Sequence, residues 1–170
     1  MDYEKLSRYA LRQANIRPNP DGPTGPIDLD ALLLHFGIRF ACTPMDESIE
    51  GIFIRDPAGC SITVNAAKPY VRRRYTIGHE FGHFYMGHST DVNLGETDRT
   101  VEVEANKFSA CLLIPLDLLR IVNTRMSTVV NIASWFHVSP ITCAYRLYNL
   151  GMRQYECEHV IDSYRKYNHG

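Results

Sequence analysis

The residues best suited to chemistry in this 170-residue chain form the run His79-Glu80-Phe81-Gly82-His83. On an α-helix of about 3.6 residues per turn, positions four apart share a face, so both imidazoles can meet one divalent ion. Zinc takes neutral imidazole nitrogens, and a zinc site that does chemistry keeps three protein ligands and one open position. Glu80 is rotated off the ligand direction, which suits it to take a proton from metal-activated water rather than to bind the ion. That chemistry is hydrolysis, with Glu80 as catalytic base. Two histidines on a helix can also be ordinary core or surface residues, and so short a pattern arises by chance. Here, though, it lies in the most apolar helix of the chain, where two imidazoles and a carboxylate are costly to bury without partners.

A third ligand is required, and three residues compete. His88 follows His83 by five positions and on a continuing helix points well away from the His79/His83 face, although Gly87 can break the helix there. The longer HExxHxxGxxH pattern is absent, since Met86 and Ser89 fill its Gly and His positions. Glu102 and Glu104 lie on the next helix, two apart and so on nearly opposite faces; only one can face the metal. Glu102 is favoured because Asn106 stands one turn later on the same face and can hold a ligand ring by hydrogen bond. Glu104 has no such neighbour and reads as a solvated residue.

The elements that must position these groups follow from periodicity. Tyr70 to Met86 is apolar or small on nearly every side, which predicts a helix buried in the domain centre. The polar stretch 89–96 reads as a loop; Asp98 or Thr100 starts the next helix, which runs to Ile114 before Pro115. Upstream, a helix is expected over residues 3–15, an extended connector from Arg17 to Pro26, and a helix from Leu29 to Phe36 capped by Asp28. Three strand-like runs follow, Ile38–Thr43, Gly51–Arg55 and Cys60–Asn65, with Asp56-Pro57-Ala58-Gly59 as a turn between the last two. They predict a small three-stranded antiparallel sheet packed on the buried helix. Two short helices, Thr128–Phe136 and Pro140–Leu150, come next, and the tail from Arg153 is polar and tyrosine-rich. The class is α+β, organised as a metallopeptidase-type unit over 1–126 and a helical C-terminal subdomain over 127–170 packed on it.

Composition narrows the setting. A formal net charge of -1 gives no overall pull toward nucleic acid or acidic membranes. Charged residues throughout the first sixteen positions spoil a signal-peptide core, and no apolar stretch reaches membrane-span length. Five scattered cysteines without a CxxC pair fit a reducing cytoplasm and small buried hydrophobes rather than disulfides.

The stretch from Arg73 to His83 resembles the ImmA/IrrE family of metallopeptidases, with its arginine-rich lead-in and HExxH helix. Glu102 to Ala110, followed by Leu112-Leu113-Ile114-Pro115, is similar to that family's second signature. The likeness extends from about Ile27 to Gly151, with Tyr75 for Phe, Gly78 for Ala and Ile114 for Met as its departures. The resemblance implies zinc on His79, His83 and Glu102, one ion per chain (manganese being the alternative metal). It further implies an endopeptidase that cuts a helix-turn-helix repressor and so acts as an anti-repressor in stress or mobile-element regulation. The competing reading is a non-proteolytic, zinc-containing protein that sequesters a repressor or toxin-like partner.

Residues 132–147 resemble a helix-turn-helix, but His137 stands where glycine is usual. Arg146 is the only Lys or Arg between Ser127 and Gly151. Phosphate contacts carry most DNA affinity, so the unit reads as a packing or docking element. Arg72, Arg73 and Arg74 either grip an acidic partner or serve as ordinary polar residues at a helix start. Tyr85 and His88 are near enough in sequence to stabilise an oxyanion, and the hairpin edge is a candidate for adding a substrate strand. His35, His137, His159 and His169 have no ligand-like spacing.

Overall fold

A computed structural model describes residues 1–19, 25–88, 99–123, 128–152 and 156–168. The expected loop at 89–96, Asp98, the middle of the 17–26 connector, the 126/127 division, Arg153 and His169 lie outside the described residues. The elements in chain order are α1 (Tyr3–Gln13), α2 (Leu29–His35), β1 (Ile38–Thr43), β2 (Gly51–Asp56), β3 (Gly59–Asn65) and α3 (Tyr70–Met86). Then come α4 (Arg99–Leu113), α5 (Leu116–Asn123), α6 (Val129–Phe136), α7 (Pro140–Asn149) and α8 (Cys157–Asn168).

Local chemistry sets several ends. The Asp28 carboxylate accepts from the Ala31 N–H at 2.9 Å and caps α2 as expected. Thr128 and Ser139 cap α6 and α7 in the same way, and Pro140 sits in the first turn of α7, where its missing N–H has no helical partner to lose. Gly87 ends α3 in the left-handed conformation (φ 71°). The chain then folds back, with the His88 N–H bonded to the His83 carbonyl at 2.9 Å.

The α+β class stands, but the sheet is mixed rather than antiparallel. Its order is β1-β3-β2, with β2 and β3 antiparallel as the hairpin demands and β1 parallel to β3. The reason is that β3 inserts between the other two strands, so the β1–β2 link crosses over the sheet end instead of making a second hairpin. Fully buried Asn65 ties that link down. Its side-chain amide donates to the carbonyls of Asp46 and Ile49 at 3.0 and 2.9 Å and accepts from the Met45 N–H at 3.1 Å.

The sheet packs its inner face, with Phe53, Ile62 and Val64, onto α3, and α4 crosses α3 on the opposite side. Phe81 and Phe108, both fully buried, meet at that crossing with ring centroids 5.9 Å apart. Gly82 permits the approach: a Cβ there would lie 3.2 Å from the Phe108 ring. The apolar core runs on without a break through Leu119, Ile132, Phe136, Leu147 and Ile161. Two helices, α5 and α8, are additions to the expected set. Pro115, read as a stop, is followed at once by α5, because proline is well tolerated in a first turn. Among the described side chains of α8 only Cys157 and Ile161 are buried, a stripe too narrow to stand out in a polar tail.

No helix among the described residues is long and apolar enough to cross a membrane. The cysteines are free, with Cys111, Cys143 and Cys157 buried.

Candidate metal centre

One turn of α3, from His79 to His83, and the first turn of α4 meet at one point. His79 Nε2 and His83 Nε2 are 3.0 Å apart. The Glu102 carboxylate reaches both, with oxygens 3.2 Å from His79 Nε2 and 3.4 Å from His83 Nε2. Zinc–ligand bonds of about 2.0–2.1 Å in a tetrahedron separate the ligand atoms by roughly 3.3 Å. The three distances match that edge, so the donor set fits a small tetrahedral ion in both chemistry and spacing. This is the one such His/Cys/Asp/Glu group found among the described residues. Glu102 is about one-third exposed while the imidazoles are mostly covered, which leaves one side of the centre open.

Burial and crowding tune the protonation states. Desolvation, and after it the neighbouring imidazoles of His79 and His83's other neighbour His88, push His83 down to about 4. Desolvation likewise lowers His79. Both rings are therefore neutral, as ligands must be, near neutral pH. Glu80 is pushed up to about 7, first by burial and then by the Glu102 carboxylate, while the Phe53 N–H bonds its carboxylate and pulls the other way. A base that titrates near neutrality is well matched to taking and returning a proton there.

The outer sides of the rings are also engaged. His79 Nδ1 lies 3.1 Å from Asn106 Oδ1, as the ExxxN spacing predicts, and the same oxygen accepts from the Tyr75 hydroxyl at 2.8 Å. His88 is not aimed at the metal-facing edge; it sits behind His83, with the two Nδ1 atoms 3.0 Å apart. Glu104 corrects the expectation of a solvated side chain. It is only 23 % exposed, and its oxygens are 3.3 Å from His88 Nε2 and 3.2 Å from the Tyr3 hydroxyl of α1. The signal that could have revealed it was Gly87, whose chain reversal returns His88 toward α4.

The Tyr85 hydroxyl donates to Gln13 at 2.8 Å, so it is already committed. Arg72 pairs with Glu50 at 3.0 Å, Arg73 donates to the Ala66 carbonyl, and Arg74 is buried with a bond to the Ile27 carbonyl. All three hold the start of α3 in place. Strand β2 is a sheet edge, as strand addition requires, and its Phe53 N–H is the one that bonds Glu80.

The IrrE N-terminal-like domain, a peptidase family, matches residues 34–148. The chain belongs to this family. Membership points to a metallopeptidase, and the matched segment contains every residue of the His/His/Glu centre. It also runs across the expected 126/127 division without a break. A Mycobacterium tuberculosis transcriptional regulator of known structure shares the fold, with a TM-score of 0.64 at 16% identity over 86% of this chain. The present chain spans 46% of that longer protein. No curated protein is similar enough in sequence to count as a match.

Proposed function

We infer that this IrrE-type domain is a zinc-dependent endopeptidase acting in the cytoplasm on a helix-turn-helix repressor. The observation that carries this is the trio of donor atoms 3.0 to 3.4 Å apart beside a buried glutamate on the same helix. His79, His83 and Glu102 hold the ion, and Asn106 orients the His79 ring. When bound, zinc supplies the Lewis acidity that polarises a peptide carbonyl and makes water a nucleophile near neutral pH. Glu80, close to neutrality in proton affinity, takes the proton from the attacking water and delivers it to the leaving amine nitrogen. The half-covered setting strengthens these electrostatic interactions while the open side admits a peptide. The repressor as substrate follows from the family likeness of both signature helices, not from the geometry.

The test mixes the purified chain with a co-encoded helix-turn-helix repressor. Fragments are expected from the wild type. Chelation should stop cleavage, and Glu80→Gln should lower it by roughly 10²–10⁴-fold while one zinc per chain remains bound. Unimpaired cleavage by Glu80→Gln would remove the mechanism. A stable complex with intact repressor, indifferent to chelator and to Glu80→Gln, would establish the sequestering role instead.

A further inference from the structure

We propose that His88, Glu104 and Tyr3 form a positioning relay that fixes the tautomer and orientation of His83, so that the metal centre depends on α1, an element outside the family-matching segment. The proposal rests on the metal reading above.

Donors and acceptors fix the arrangement. The Nε2 atom of His83 faces the shared point, 3.0 Å from His79 Nε2 and 3.4 Å from Glu102 Oε1. A neutral imidazole that offers Nε2 as a ligand carries its proton on Nδ1, and that N–H needs an acceptor. The atom in reach is His88 Nδ1, at 3.0 Å. Accepting there forces the His88 proton onto Nε2, which stands 3.3 Å from Glu104 Oε2. The other oxygen of Glu104 accepts from the Tyr3 hydroxyl at 3.2 Å. Two donors converge on a carboxylate that needs acceptor bonds, and every group is used once in a consistent sense.

The backbone makes this geometry specific. Left-handed Gly87 ends α3, and the His88 N–H bonds the His83 carbonyl at 2.9 Å, which lays the second ring against the first at 5.0 Å between centroids. His88 is itself 8% exposed. The arrangement mirrors the one at His79, where Asn106 Oδ1 receives the Nδ1 proton. The two ligand histidines are thus oriented by different means. One uses a neighbour on α4, and the other uses a chain of three residues that ends on α1. Histidine ligands whose outer nitrogen loses its partner typically lose about 10–100-fold in metal affinity.

The experiment measures zinc affinity of the full chain by competition with a chromophoric chelator, independent of any cleavage. His88→Ala should bind zinc about 10–100-fold more weakly than the wild type. Glu104→Ala and Tyr3→Phe should show progressively smaller losses in the same direction. His88→Asn is the rescue variant: its Oδ1 can replace the ring Nδ1 as acceptor, and it should recover most of the affinity lost in His88→Ala. Long-range proton–nitrogen spectra of the zinc-loaded wild type should show His83 protonated on Nδ1 and His88 on Nε2. Wild-type affinity in folded His88→Ala or Glu104→Ala, or a proton on His88 Nδ1, would overturn the relay alone. Should the wild type bind zinc no better than His83→Ala, the metal reading and the relay fall together. If His88→Ala does not fold, His88→Asn, Glu104→Ala and the tautomer spectra decide the matter.

Discussion

Where α3 crosses α4, imidazoles and carboxylates face one another at about hydrogen-bond distance around an open point. Where α7 packs against the end of α4, the single guanidinium of α6–α7 faces inward onto a backbone carbonyl. The two joints are built from similar helices, yet they treat polar atoms oppositely. At the first, His79, His83 and Glu102 point three acceptor atoms at each other, an arrangement that is unfavourable unless a cation or protons sit among them. At the second, Arg146 donates through Nε and Nη2 to the Ile114 carbonyl at 3.2 and 3.1 Å and pairs with Glu4. Every charge there is matched inside the protein. A site is recognisable where the fold leaves buried polar atoms in mutual conflict, and a structural joint where it satisfies them.

The largest effect is expected at Arg146, which is 6% exposed. It bonds the carbonyl just after α4 and pairs with half-buried Glu4, so its loss strands the first and leaves the second to solvent. Arg146→Met should cost roughly 3 kcal/mol in urea unfolding, since the buried Ile114 carbonyl loses its charged donor. It should leave no deficit in DNA retention, because a buried guanidinium makes no phosphate contact. If Arg146→Met kept full stability and abolished a measurable DNA complex, α6–α7 would be a reading head and not a joint.

Much of this contrast was visible in the residue order. The HExxH spacing and the Glu102/Asn106 pair follow from helical period alone, and the helix meant to carry each formed where the pattern placed it. The class of fold was legible for the same reason, since periods of 2 and 3.6 separate cleanly along the chain. The parallel pairing of β1 was not, because strand patterning fixes faces and leaves neighbour order to long-range packing. Glu104 and His88 escaped because their partnership depends on one backbone reversal at Gly87, and a positive φ changes where every later side chain points. Gly78, by contrast, departs from the alanine of the resembling family for a reason only packing reveals. Ser109 Oγ occupies the space, 2.6 Å from where a Cβ would stand.

At the α3–α4 crossing, Glu80 is held against its charge. Its folded pKa, raised to about 7 from 4.5, means that the folded chain holds the proton more tightly than the unfolded one. Below about pH 4.5 both states are protonated and Glu80 costs nothing. As pH rises toward 7 the folded state loses ground, and above 7 the full penalty stands, about 2–3 kcal/mol once partial exposure is allowed for. Glu80→Gln should therefore stabilise the metal-free protein by about that much near pH 8 and by almost nothing near pH 4. The histidine contributions run the opposite way with pH but are common to both proteins. Unfolding with chelator present, at both pH values, measures the difference. An equal gain at the two would mean that the carboxylate is not held against its charge.

The smallest effect probes how closely the two site helices must approach. Alanine at position 78 would gain about 1 kcal/mol of helix propensity over glycine. It would also drive a Cβ into Ser109 Oγ, the hydroxyl that donates to the Tyr75 carbonyl at 2.9 Å in a fully buried setting. Moving that hydroxyl breaks its bond, and moving α4 instead widens the crossing that brings Glu102 to the histidines. Gly78→Ala alone should thus lose about 1–2 kcal/mol. Paired with Ser109→Ala, which vacates the space, it should recover to near the wild-type value, a coupling of at least about 1 kcal/mol in a double-mutant cycle. Zinc affinity should follow the same order, weakened in the single variant and restored in the double. Strict additivity would show that α4 has room to spare, and that the short distances at the metal centre are not set by this contact.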